Sequence, residues 1–289
     1  MDQIAVRAPA KINLALDIKG LQADGYHQLE TIMQSVSLCD HIYLKKTNRG
    51  IKLTNSVPGL PEDNHNLAYR AAELIFNQYY RNGSIEIHID KKIPVAAGLA
   101  GGSTDSAAVI KGINLLFGLG LDYPQLLELA RAIGSDVPFC LKGGTAFAYG
   151  RGDQLVQLPD LKKTWLVLVT PPKEVLTAVV YQQYDLIKPE LTIPMEDLKG
   201  IIKNGQNIYW NEGWNNVLEP VTAGLIGDIT EIKEMLKEMG AIFTMMSGSG
   251  PTVFGVMPDR EQAEQACQKW PRSTDSVFPV YTYKQDFRE

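Results

Sequence analysis

Apolar and polar positions alternate strictly over residues 11–18. Ile12, Leu14, Leu16 and Ile18 share one face; Lys11, Asn13, Ala15 and Asp17 share the other. A period of two predicts a half-buried strand and projects Lys11 and Asn13 from the same side. Residues 84–90 alternate again, with Ile85, Ile87 and Ile89 set against Glu86, His88 and Asp90, and Pro94 marks the end of that strand. Residues 64–80 have the 3.6-residue spacing of an amphipathic helix, with Leu67, Ala71, Leu74 and Ile75 on one face. A second helix is expected from Ser103 or Thr104 to about Phe117. A third begins near Pro124, where a first turn tolerates proline, and stops at Gly134.

Asp24-Gly25 predicts a turn, and residues 145–149 a strand leading to a hairpin tip at Tyr149-Gly150-Arg151-Gly152-Asp153. The apolar run 165–170 predicts a buried strand, and the Pro171-Pro172 pair after it is the best candidate for a change of domain. Residues 229–239 predict a helix stopped by Gly240. Strands at 242–246 and 252–257 flank a glycine-rich loop, Ser247-Gly248-Ser249-Gly250-Pro251, and a helix at 260–270 follows. Strands come in pairs, without regular strand–helix–strand alternation. The expected class is therefore α+β, with mixed or antiparallel sheets packed on helices.

A length of 289 residues suits two domains of unequal size. The formal net charge of −5 offers no basic field for nucleic acid or an anionic membrane. Cys39, Cys140 and Cys267 are scattered and odd in number, as expected of reduced thiols in a cytosolic protein. His27, His41, His65 and His88 form no metal-ligand pattern. The alternating N-terminal residues argue against a signal peptide, and no run is long enough to span a bilayer.

Candidate chemistry concentrates in Pro94-Val95-Ala96-Ala97-Gly98-Leu99-Ala100-Gly101-Gly102-Ser103-Thr104, a glycine-rich stretch that opens a helix. Exposed N–H groups and the macrodipole make a helix N-terminus an anion site, and glycine lets backbone approach a phosphate closely. Ser103, Thr104 and Asp105 place two hydroxyls and a carboxylate beside that site. No lysine ends the loop as in a P-loop, and G-x-G-x-x-G is absent. A glycine-rich connector before an alanine-rich core helix is the plainer alternative. Taken alone, Asp136 reads as a helix cap or turn residue, Lys11 as a solvated strand position, and Tyr26 as a packed hairpin aromatic.

The stretch P-x-x-x-G-L-A-G-G-S-T-D-S-A-A resembles the second motif of the GHMP kinase family, which includes galactokinase, homoserine kinase and mevalonate kinase. Ser247-Gly248-Ser249-Gly250-Pro251-Thr252 resembles the third motif, and Arg7-Ala8-Pro9-Ala10-Lys11-Ile12-Asn13-Leu14 the first. The resemblance implies a two-domain fold with a cleft between the domains. An N-terminal ATP-binding domain would cover 1–160 and a C-terminal domain 161–289. It implies ATP-dependent phosphorylation of a small alcohol, with ATP phosphates wrapped by residues 94–104 and Mg²⁺ arriving on the nucleotide. Lys11 and Asp136 would be catalytic: Asp136 receives or orients the hydroxyl proton, and Lys11 favours its charged form. The segments D-G-Y-H-x-L-E-T and G-S-D-V-P-F are most like family members whose alcohol carries cytidine diphosphate. In those, Tyr26 would stack on the cytosine, His27 would bond its edge, and Asn13 and Tyr181 would complete the substrate contacts.

Basic residues common in the family before D-G-Y-H are replaced here by Leu21-Gln22-Ala23. A monomer or homodimer is expected, with no nucleic-acid or membrane partner. A kinase for another small alcohol, of mevalonate or homoserine type, and a non-catalytic nucleotide-binding regulator are the competing functions.

Overall fold

Two long strands form the spine of the molecule. The structure, a computed structural model, describes residues 1–23, 25–206 and 208–284. In it β1 (Gln3–Leu21) and β2 (His27–Lys46) run antiparallel, with Gln3 opposite Lys45 and Leu21 opposite His27. Asp24, half of the expected turn, lies outside the described residues. Register shifts between Pro9 and Lys11 and between Asn13 and Ala15 bracket the Lys11–Asn13 segment. Such irregularities bend a strand and re-aim its side chains.

β3 (Ile51–Asn55) lies parallel to β4 (Ile85–Asp90), and β4 pairs antiparallel with residues 41–46 of β2. Residues 29–34 of β2 pair with β5 (Thr145–Gly150), which forms the predicted hairpin with β6 (Gln154–Gln157). Four helices accompany this sheet: α1 (Leu67–Tyr79), α2 (Gly101–Phe117), α3 (Tyr123–Ile133) and α4 (Val137–Lys142). Side chains set helix starts as expected of caps. Asn66 accepts from the Ala68 N–H, and Asp122 forms a capping box with Gln125. Ile42, Leu44, Ile85, Ile87 and Ile89 of the sheet bury against Ala71, Ile75, Ile110 and Ile113 of the helices.

The second sheet has strand order β10–β7–β9–β8, all antiparallel. Its members are β7 (Trp165–Thr170), β8 (Phe243–Met246), β9 (Val253–Met257) and β10 (Ser276–Tyr281). Around it run α5 (Thr177–Ile187), α6 (Met195–Lys203), α7 (Glu219–Leu225), α8 (Asp228–Glu238) and α9 (Arg260–Gln268). The apolar row Ile12, Leu14 and Leu16 belongs to this second core, beside Leu166–Val169 and Phe254.

The other face of β1 corrects the expectation of a half-buried strand. Lys11, Asn13 and Asp17 are 5%, 1% and 5% exposed. Alternation marks which residues differ in polarity, and here the polar side is covered as well. The Leu16 N–H donates to the Asn215 carbonyl, and the Asn13 N–H donates to the Ser247 hydroxyl. A second difference is at α2, which starts at Gly101, so Gly101 and Gly102 form its first turn. A third is α4, which the spacing of apolar positions did not predict, although Asp136 taken alone reads as a helix cap or turn residue and does occupy the cap position.

Candidate active site

Residues 91–100 link β4 to α2, and from Ala96 onward the backbone has an unusual alternation. Ala96, Gly98 and Ala100 have φ of 52°, 74° and 57°, while the residues between them do not. Left-handed residues alternating with ordinary ones turn successive N–H groups toward one concavity, an anion-binding nest. Two of the three are alanines, for which this conformation costs about 1 kcal/mol each. Ala97 and Leu99 bury their side chains beneath the loop, and Val95 lies exposed at its outer side. No side chain caps α2, so the helix presents its N-terminal N–H groups at the end of the same loop.

The second glycine-rich loop holds the first in shape. A Cβ on Gly98 would sit 2.4 Å from the Ser247 carbonyl oxygen. The Ser247 hydroxyl donates to the Gly98 carbonyl, and the Lys11 N–H donates to the Leu99 carbonyl. Asn216, fully buried, donates through Nδ2 to the carbonyls of Met246 and Gly248 at 2.9 and 2.7 Å. The Glu219 carboxylate accepts from the Met246 N–H. Asn216 and Glu219 were not foreseen; the signal is a polar pair set among the apolar residues Trp214, Val217 and Leu218.

Ser103 lies at the open end of the loop, half-buried. Thr104 and Asp105 are turned inward. The Thr104 hydroxyl donates to the Pro9 carbonyl and its N–H to Ala100. The Asp105 carboxylate receives the Lys91 ammonium. Their expected place beside the anion site is therefore occupied by bonds within the protein.

Lys11 and Asp136 meet. The ammonium lies 3.7 Å from Asp136 Oδ2 and donates to Asn13 Oδ1 at 2.7 Å. Asn13 Nδ2 donates to the Thr31 hydroxyl, which donates to the Ala15 carbonyl. This relay orients Lys11 from behind; Thr31 was missed because its role depends on the β1–β2 register. Asp136 occupies the cap position of α4 but makes no capping bond, and its side chain is 31% exposed. Nearby Cys140 is buried, which pushes its thiol up to about 12, so it is not a nucleophile at neutral pH.

His27 stands at the far end of β1–β2. Its Nε2 lies 2.8 Å from Asp185 Oδ1, and its ring lies 4.8 Å from that of Tyr181, tilted by 38°. Tyr184 closes edge-on at 6.2 Å. Burial, and after it the charge of Asp136, raise the Tyr181 phenol. Tyr26 is 56% exposed, and the Arg151 guanidinium lies 4.0 Å from its ring centroid. A cation thus reaches this turn from the β5–β6 hairpin, where the adjacent Leu21-Gln22-Ala23 supplies none.

A nest on a helix start, braced by a second glycine loop and facing a lysine–aspartate pair, is the layout of a small-molecule kinase. The family models described as "GHMP kinases N terminal domain" and "GHMP kinases C terminal" match residues 66–144 and 196–275. The chain belongs to the GHMP kinase family, and with that membership it is an ATP-dependent small-molecule kinase. Among its relatives, the 4-diphosphocytidyl-2-C-methyl-D-erythritol kinase of Syntrophomonas wolfei is 43% identical, covering 97% of this chain and 98% of that protein. A crystal structure of 4-(cytidine 5'-diphospho)-2C-methyl-D-erythritol kinase superposes with a TM-score of 0.82. It is 31% identical and covers 97% of this chain and 100% of that one. The homoserine kinase of Cytophaga hutchinsonii, 21% identical, shares the fold with a TM-score of 0.77 over 99% of this chain and 96% of that one.

Proposed function

We propose that the protein transfers the γ-phosphoryl group of ATP to the 2-hydroxyl of 4-diphosphocytidyl-2-C-methyl-D-erythritol, a step toward isoprenoid precursors. The observation that carries this is the Lys11–Asp136 pair, with Lys11 bonded through its own backbone to the glycine-rich loop at Leu99. Residues 94–104 hold the triphosphate, chiefly through backbone N–H groups. Asp136 accepts the proton as the alcohol oxygen attacks phosphorus, and ADP leaves. Lys11 offsets negative charge at the transferring group, and Asn13 positions it. Tyr26, already covered on one face by Arg151, stacks its other face on cytosine. His27, with its ring fixed by Asp185 and Tyr181, bonds the base edge, and Tyr181 closes the far side.

Mg²⁺ fits this arrangement as part of the nucleotide complex. Among the described residues no group of three or more His, Cys, Asp or Glu is placed to hold a metal. A partly exposed carboxylate, Asp136, together with phosphate oxygens, suits an ion that keeps most of its water. The domain division at 160/161 is part of the same reading, supported by β6 ending at Gln157 and β7 starting at Trp165. Among the described residues no helix is long and apolar enough to cross a membrane, and a cytoplasmic small-molecule enzyme acting as monomer or homodimer accords with that.

The test is turnover of purified protein with MgATP and a panel of cytidylated and plain polyols, mevalonate and homoserine. Phosphorylation of the cytidylated methylerythritol alone supports the reading. Turnover of mevalonate or homoserine, or ATP binding without transfer to any alcohol, overturns it.

A further inference from the structure

Beneath the phosphate loop lies a buried charge cluster that the chemistry above does not use. Lys91, at the end of β4, points its ammonium between Asp40 of β2 at 2.6 Å and Asp105 of α2 at 2.8 Å. Asp40 is 0% exposed and Asp105 3%. The two carboxylates are unequally supported. Asp40 Oδ1 also accepts from the N–H groups of Lys92 and Ile93, whereas Asp105 Oδ1 is buried with no hydrogen-bond partner. The cluster therefore grips the loop at both ends: its entry at residues 91–93 and its exit at the second turn of α2. It also lies close under the anion site. A Cβ on Gly101, the first residue of α2, would be 3.1 Å from the Lys91 nitrogen.

We propose that Asp40, Lys91 and Asp105 act as a positioning clamp for the phosphate loop, and that nucleotide binding draws a proton onto Asp105. One ammonium cannot satisfy two buried carboxylates, and the one with fewer donors takes the proton. With Asp105 protonated the cluster is neutral overall; with it ionised, a net negative charge lies behind the N–H groups that receive phosphate. Lys91 and Asp40 are the charged groups acting on Asp105. Burial first, then Asp40, raises the Asp105 carboxyl to about 8 against the opposing pull of Lys91. The two aspartates outweigh burial to raise Lys91, which stays charged. A triphosphate above α2 disfavours the Asp105 carboxylate further. Binding thus takes up a proton from solvent, most strongly where free Asp105 is partly ionised, near and above pH 8.

This inference rests on the nucleotide site proposed above, and calorimetry of a non-hydrolysable ATP analogue with Mg²⁺ separates the two. Titrations in buffers of different ionisation enthalpy count protons. The wild type is expected to take up a substantial fraction of a proton near pH 8 and almost none near pH 6. Its affinity should fall severalfold, to about tenfold per pH unit at most, above pH 8. Asp105→Asn, a neutral isostere of the protonated acid, should bind with flat affinity and no uptake, while a loop merely held in place would show no such proton linkage. Equal uptake in both proteins, or none in the wild type, overturns the proposal. If the variant does not fold, the wild-type profile alone decides: uptake that fails to rise between pH 6 and pH 8 overturns it. No binding heat at any pH overturns the nucleotide site itself, and this inference with it.

Discussion

Asp136 stands at the cap position of α4, and its side chain caps nothing. Its carboxylate faces the Lys11 ammonium and solvent instead. Replacing it with asparagine keeps the shape and removes the proposed proton acceptor. Asp136→Asn is expected to lower kcat by about 10²–10⁴-fold with little change in the KM for ATP. Steady-state kinetics with ATP varied checks this; a variant within a factor of a few of wild-type kcat would remove Asp136 from the chemistry. The environment of Lys11 was less legible than the residue itself. Its neighbour Asn13 could be placed on the same face by counting. That this face is buried could not, because the chain covering it comes from Asn215, Asn216 and Ser247, some 200 positions away.

At the scale of the element, the loop before α2 carries strain that the sequence shows only in part. Three glycines were visible, but the left-handed positions are Ala96, Gly98 and Ala100, whereas Gly101 and Gly102 are helical. A glycine-rich pattern announces a tight loop without saying which residues take the unusual conformation; neighbouring backbone decides that. Opposite outcomes follow at two positions. Ala100→Gly relieves about 1 kcal/mol of left-handed strain and concedes a similar entropy, so thermal stability should hold or rise slightly. Gly98→Ala drives a Cβ toward the Ser247 carbonyl at φ +74° and should lower Tm by several degrees and raise the KM for ATP. Thermal melts of both variants check this; a stable Gly98→Ala with unchanged kinetics contradicts the account. Helices with clear spacing, α1 and α3, were legible to within a few residues. α4 was missed because six residues around a proline carry too little periodicity to register.

For the whole molecule, the two sheets share an interior. β1 lends its apolar row to the second core while its sheet partners pack against the first. Strands in pairs were enough to predict the α+β class, and the length together with the family resemblance predicted two domains. The shared strand was not readable, since period-two alternation says nothing of what lies on either side. The consequence is cooperative unfolding. Scanning calorimetry should show one transition, and MgATP at about 100 times its Kd should add about 2.7 kcal/mol, a shift of several degrees. Two resolved transitions, only one moving with ATP, would contradict a common core.

α5 buries little of its own surface. Val180 is its only fully buried residue, while Leu176, Val179, Leu186 and Ile187 face outward beside it. The loop before α2 is, by contrast, held closely where Gly98 meets the Ser247 carbonyl. Tyr181 and Asp185 both reach His27 from α5, so a displacement of this one helix would alter both contacts together.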